Sequence, residues 1–107
     1  MELKGMKVIV IGLGKSGFEL LGFLDRRQVE TVAYDSRDAD SMSGLERFSD
    51  RISFRCGQNP SGDEECDLVI VSPGISMNLD FMKKFKERNV EIAGEVEFAY
   101  NFAKGKF

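Results

Sequence analysis

The chain has 107 residues and a formal net charge of −3; hydrophobic residues make up 42% of it and charged residues 31%. This length fits one domain with its own hydrophobic core, and the composition is that of an ordinary soluble protein. The negative charge argues against nucleic acid as a partner, because nucleic-acid-binding domains carry a basic field. Histidine is absent and there are only two cysteines, too few ligands for a zinc site, and a cysteine–histidine nucleophile is excluded.

The first apolar run of the chain covers only residues 8–11 before Gly12 interrupts it. A signal peptide needs a longer apolar segment, and a membrane-spanning helix needs about 20 residues. We therefore expect a cytoplasmic protein that makes no contact with membranes.

Runs of β-branched residues alternating with helical spacing predict five strands and three helices. The strands are expected over residues 7–11, 31–34, 51–55, 67–71 and 90–93. The helices are expected over residues 16–27, 79–88 and 95–103, the last with an apolar face of Val96, Ala99 and Ala103. Ser43 and Glu46, three residues apart, predict a capping box that opens a further short helix.

This order of elements predicts the fold class: α/β, a Rossmann-like three-layer αβα domain with a mainly parallel five-stranded sheet. Successive strands separated by helices must cross over the sheet, and such crossovers make the strands parallel. Residues 1–107 are therefore expected to form a single domain. Because parallel sheets bind ligands beyond the carboxyl ends of their strands, the segments to inspect are 12–17, 35–37 and 72–75.

The segment after the first strand contains Gly12, Gly14 and Gly17 in the pattern G-x-G-x-x-G. In this setting the first glycine permits a tight turn, the second lets a phosphate approach the backbone, and the third lets helix and strand pack closely. The free N–H groups at the start of the helix can hold an anion, to which Ser16 adds a hydroxyl and Lys15 a charge. The alternative is that these glycines serve the turn alone.

A Walker A loop also ends in glycine, lysine and serine, as residues 14–16 do. That pattern needs another glycine five residues earlier, where this chain has Ile9 inside the predicted strand. We therefore expect no ATP hydrolysis at this loop.

Two further segments follow predicted strands. Asp35 stands where a dinucleotide-binding fold places its ribose carboxylate, and Arg37 beside it can stack on a base or pair with phosphate. The alternative for this pair is an Asx turn with a solvated arginine. After the fourth strand, Pro73 fixes the backbone and Gly74 lets an N–H group point into the crevice, although a plain turn would have the same sequence.

Four motifs together resemble a known family. They are G-L-G-K-S-G at 12–17, D-S-R at 35–37, V-S-P-G-I at 71–75 and G-E-V-E at 94–97. Their order and spacing resemble those of the N-terminal domain of the Mur ligases, above all of the branch that adds D-glutamate. The resemblance spans nearly the whole chain.

The resemblance implies a site for uridine diphosphate (UDP). In the family the glycine-rich loop holds the diphosphate, which assigns that role to Lys15 and Ser16. Asp35 and Ser36 would meet the uracil, Arg37 would lie along the base, and the Ser-Pro-Gly turn would close over it. The implied UDP-binding residues are Gly14, Lys15, Ser16, Gly17, Asp35, Ser36, Arg37, Ser72, Pro73 and Gly74.

The resemblance implies that a complete enzyme of the D-glutamate-adding branch takes UDP-N-acetylmuramoyl-L-alanine, ATP, Mg²⁺ and D-glutamate, and forms an amide bond in peptidoglycan synthesis. The resemblance implies that the ATP, metal and amino-acid sites lie in later domains, so we expect no catalytic residue, metal site or cofactor in this one. We expect the chain to be a monomer, either a fragment or a stand-alone homologue. Two other interpretations share the glycine loop and Asp35: an NAD(H)-binding domain of an oxidoreductase, and a ligand-sensing regulatory module.

Overall fold

The computed structural model describes residue 3 and residues 5–103. Within them, five strands form one sheet in the order β3-β2-β1-β4-β5, and every neighbouring pair is parallel. The strands are β1 Lys7–Ile11, β2 Glu30–Asp35, β3 Ile52–Cys56, β4 Leu68–Val71 and β5 Glu91–Gly94. The predicted parallel sheet is confirmed, and each strand lies within one residue of its predicted bounds.

Three helices cover the two faces of the sheet, which gives the three layers expected from the sequence. They are α1 Lys15–Arg26, α2 Asp80–Glu87 and α3 Glu95–Ala103. On one face, α1 and α3 pack on the sheet through a core that includes Val8, Val10, Leu21, Leu24 and Phe98. On the other face, α2 packs through a core that includes Ile9, Ile11, Phe81, Met82 and Phe85. No helix in these described residues is both long enough and apolar enough to cross a bilayer.

The apolar face predicted for α3 does not pack onto the sheet. Val96 is 76% exposed and Ala99 is also exposed, whereas the side chain of Ala103 lies outside the described part of the chain. The helix instead buries Phe98, and Phe102 meets the ring of Phe23 edge-on at 4.7 Å. Phenylalanine removes far more apolar area from water than alanine or valine, so the aromatic face of the helix packs inward.

The predicted capping box is also wrong. The segment between β2 and β3 forms two short 3₁₀ helices, Ala39–Ser41 and Leu45–Arg47, and no side chain caps the second one. Gly44 precedes that helix with a left-handed φ of 84°. This turn places Gly44, and not Ser43, at the N-cap, so the hydroxyl does not reach the first N–H groups.

Candidate functional site

The carboxyl ends of β1, β2 and β4 meet at one edge of the sheet and enclose a crevice of about 400 Å³. Residues from all three predicted segments line it, so the topology brings together parts of the chain that are far apart in sequence. The predicted site residues that line the crevice are Gly14, Ser16, Asp35, Ser36, Arg37, Ser72, Pro73 and Gly74.

The other two predicted site residues lie elsewhere. Lys15 is exposed and lines a neighbouring groove between α1 and the segment 41–48. Gly17 is buried against the first turn of the loop, where an added Cβ would stand 2.9 Å from the carbonyl oxygen of Gly12. Gly17 therefore serves the close packing of helix on strand, the role that the third glycine has in this motif.

Gly12 brings two walls of the crevice into contact. Its φ is +92°, and a Cβ there would lie 2.5 Å from the Ser72 hydroxyl oxygen. The Ser72 N–H group donates to the carbonyl oxygen of Ile11 at 3.0 Å, which continues the β1–β4 pairing into the loops. Only glycine satisfies both the backbone angle and the available space at this position.

Gly14 faces open space. It is the N-cap of α1, no side chain caps the helix, and an added Cβ would meet nothing within 4 Å. The N–H groups in the first turn of a helix have no partner within the helix, and the helix dipole adds partial positive charge there. This part of the crevice therefore offers hydrogen-bond donors and room for an anion.

Asp35 ends β2 and is only 7% exposed. One of its carboxylate oxygens accepts the N–H of Leu13 at 2.8 Å and a guanidinium N–H of Arg37 at 3.0 Å. The other accepts the backbone N–H of Arg37 at 2.8 Å and its Nε–H at 3.0 Å. The hydrogen bonds from Arg37 lower the pKa of Asp35 to about 2, although burial acts in the opposite direction.

These four hydrogen bonds occupy the usual acceptor positions of the Asp35 carboxylate. Arg37 also donates to the carbonyl oxygen of Leu13, so the pair ties the glycine loop to the end of β2. A uracil could hydrogen-bond to Asp35 only after Arg37 moves aside. The Arg37 side chain is half exposed, which leaves it room to do so.

Two further residues bear on the site, although the sequence analysis gave neither of them a role in it. Asn59 lines the crevice from the loop after β3 and carries both a donor and an acceptor. The position of Asn59 could have been predicted from the order of the strands, because the carboxyl end of β3 lies at the same edge as those of β1 and β2. Glu95 accepts the hydroxyl hydrogen of Ser16 at 2.5 Å, a contact between residues 79 positions apart that no sequence pattern indicates.

Acidic and thiol groups are not gathered into a metal site here. Across residue 3 and residues 5–103, no three or more aspartate, glutamate, cysteine or histidine side chains stand close enough together to hold a metal ion. Both cysteines are free, and burial raises the pKa of the Cys56 and Cys66 thiols.

The sheet, its helices and the crevice define a Rossmann-type α/β domain. L-tryptophan dehydrogenase from Nostoc punctiforme has a similar fold, with a TM-score of 0.59 and 20% identity over 87% of this chain and 26% of that protein. At this identity the likeness concerns the fold alone.

Sequence comparison gives the family. Residues 6–94 match the family model of the N-terminal domain of MurD-like Mur ligases. UDP-N-acetylmuramoylalanine–D-glutamate ligases are similar to the chain, at 42% identity in Thermoanaerobacter sp. (strain X514) and 33% in Clostridioides difficile (strain 630). These matches cover 97% and 96% of the chain and 24% of each relative. The chain belongs to the MurD-like N-terminal domains of the Mur ligases, and it spans about a quarter of the length of these curated relatives.

Replacing Asp35 by asparagine should flatten the loss of stability in acid. The folded-state pKa of about 2 lies below the ordinary value of 3.8, so the carboxylate stabilises the fold above pH 4 and loses that effect as the pH falls towards 2. The difference in unfolding free energy between wild type and Asp35→Asn should be about 2 kcal/mol greater at pH 6 than at pH 2. Urea unfolding followed by circular dichroism across this range measures it. Parallel pH profiles would contradict the role given to this carboxylate.

The second and third glycines of the loop should respond differently to the same substitution. Gly17→Ala forces a methyl group against the carbonyl of Gly12, so we expect a loss of about 1–3 kcal/mol of stability. Gly14→Ala places its methyl group in open space and should cost less than about 1 kcal/mol. Urea unfolding of both variants makes the comparison, and equal losses would show that the packing around Gly17 is not tight.

Proposed function

We propose that this chain is the N-terminal domain of a D-glutamate-adding Mur ligase and binds the UDP part of UDP-N-acetylmuramoyl-L-alanine. The observation that supports the proposal is that three separate motif segments line the same crevice. The segments 12–17, 35–37 and 72–74, through which the chain resembles this family, contribute to one crevice at the carboxyl edge of the sheet.

The diphosphate would lie at the start of α1. The open space beside Gly14 admits a phosphate group against the backbone. The N–H groups of the first helical turn would donate to it. Ser16 lines the same crevice and can donate its hydroxyl hydrogen. Lys15 follows Gly14 directly and could add positive charge near the diphosphate. Its side chain would first have to leave the neighbouring groove that it lines.

The uracil would lie between the end of β2 and the turn after β4. Its imide presents one donor between two acceptors, a pattern that Ser36 and the backbone near Gly74 can meet from two sides. Arg37 would leave Asp35 and stack along the base, since a guanidinium plane packs well on aromatic rings. Asp35 could then accept the imide N–H with the oxygen positions that Arg37 vacates.

The remaining chemistry would belong to the parts of the enzyme that correspond to the other three-quarters of its relatives. There, ATP and Mg²⁺ would activate the substrate carboxylate as an acyl phosphate, and D-glutamate would displace the phosphate to form an amide. This domain would supply no catalytic residue and no cofactor site, and would hold the nucleotide end of the substrate. The whole enzyme would act in the cytoplasm in peptidoglycan synthesis, and so in cell shape and division.

The domain should prefer UDP to NADH. A site that fits uracil leaves polar groups unpaired around adenine, and each unpaired group costs about 1–3 kcal/mol. We expect a UDP dissociation constant on the order of 0.1–1 mM, equivalent to about 4–5.5 kcal/mol. NMR titrations with UDP, ADP, NADH and pyrophosphate measure the order of affinity. If NADH shifts the resonances of residues 12–17 and 35–37 at lower concentration than UDP does, a dinucleotide-binding domain replaces this proposal.

Gly14→Val should abolish diphosphate binding and leave the fold intact. The larger side chain fills the space that a phosphate needs, yet no protein atom lies within 4 Å of the added Cβ. Titration of the variant with UDP and pyrophosphate, with an amide NMR spectrum as the test of folding, makes the measurement. Gly14→Ala is the matched control and should weaken binding less, because its side chain is smaller. Unchanged affinity in Gly14→Val would place the diphosphate elsewhere.

A further inference from the structure

Glu95 contacts a residue of the proposed diphosphate site. It is the first residue of α3, and its Oε2 accepts the hydroxyl hydrogen of Ser16, at the start of α1, at 2.5 Å. Glu95 also lines two surface grooves together with Pro73 of the turn after β4. The carboxylate thus stands next to two of the loops that form the crevice.

The second oxygen of this carboxylate is buried and has no hydrogen-bond partner within the described residues. It points towards Gly17, lying 3.5 Å from where a Cβ would stand on that glycine. Burying a carboxylate oxygen without a hydrogen-bond partner costs free energy. The hydrogen bond from Ser16 to the other oxygen offsets part of that cost.

The neighbouring acid on the same helix behaves differently. Glu97 accepts the N–H of Gly94 at 3.3 Å, directly before the start of α3. Glu97 therefore does the local work expected of a carboxylate at a helix start. Glu95 does not make that contact, and its hydrogen-bond partner, Ser16, lies on another helix.

From this geometry we propose that Glu95 competes with the diphosphate for Ser16 and so lowers the affinity of the empty crevice for diphosphate ligands. A serine hydroxyl has one hydrogen to donate, and a phosphate oxygen at neutral pH only accepts. Ser16 cannot donate to Glu95 and to the ligand together. The ligand must break the Ser16–Glu95 hydrogen bond and also approach the negative charge of Glu95. This inference rests on the function proposed above and adds a residue that sets its affinity.

The test is Glu95→Gln, which keeps the size of the side chain and removes its charge. We expect pyrophosphate and UDP to bind about three- to ten-fold more tightly than to wild type, because a unit-charge repulsion near 4 Å in water has about this effect. Glu97→Gln is the matched control: it removes the same charge from the same helix without touching Ser16, and its affinity for pyrophosphate should change less than two-fold. NMR titration at low ionic strength measures all three proteins.

The contact itself is tested by adding Ser16→Ala. If Glu95 lowers affinity by holding the Ser16 hydroxyl, Glu95→Gln should raise the affinity for pyrophosphate less in the Ser16→Ala background than in wild type. Weaker pyrophosphate binding in Glu95→Gln would overturn the proposal and make Glu95 a residue that positions Ser16 for the ligand. An equal gain in Glu97→Gln would overturn it as well, because net charge alone would then explain the effect.

The outcome is separable from that of the proposed function. If UDP shows no preference over ADP and NADH, the uridine site fails while a gain in pyrophosphate affinity still supports the competition at Ser16. If UDP is preferred and Glu95→Gln does not raise the affinity for pyrophosphate, the competition at Ser16 is refuted and the proposed function stands.

Discussion

The parallel pairing of β1 with a strand on each side is the constraint on which the rest of the molecule depends. Residues 8–11 are almost fully buried, with β2 and β4 hydrogen-bonded to the two edges of the strand. The pairing continues past its end, where the N–H of Gly12 donates to the carbonyl of Tyr34 and that of Ser72 to the carbonyl of Ile11. The loops after three strands are therefore fixed at one edge before any ligand is bound.

The charges of the crevice are largely satisfied internally. Asp35 and Arg37 neutralise each other, and Lys15 lies in the adjacent groove. The attraction for an anion thus comes from backbone N–H groups and the helix dipole more than from free cations. Such a site discriminates by geometry, because oriented N–H groups favour an anion of the right shape and position.

The sequence carried most of the fold because the signals were local. The β-branched runs, the glycine loop and the alternation at residues 51–55 each reflect a single element, and the alternation also placed β3 at an edge. The two wrong predictions, the apolar face of α3 and the capping box, depended on contacts that form only in the folded chain. Spacing alone could not reveal that Phe98 would outcompete Val96 for the core, or that the positive φ of Gly44 would displace Ser43 from the cap.

The candidate site was predictable only in part, for a related reason. The topology rule identified the segments after β1, β2 and β4, and most of their residues do line one crevice. The rule does not say which side chains bind to each other within it. The bonds between Asp35, Arg37 and Leu13, and the contact of Ser16 with Glu95, depend on side-chain positions that only the folded chain fixes.

The place of β1 at the centre of the sheet has a consequence for how the chain is made. Lys7 of β1 bonds to Asp67, 60 residues further on, directly before β4. A ribosome adding 5–20 residues per second needs about 3–12 s to cover that distance. During that interval β2 and β3 are made, while the edge of β1 that pairs with β4 has no partner. In that interval newly made chains can pair with one another, since an open apolar edge is a template for aggregation. Slow passage through residues 12–67 would prolong this period, and rapid passage would shorten it.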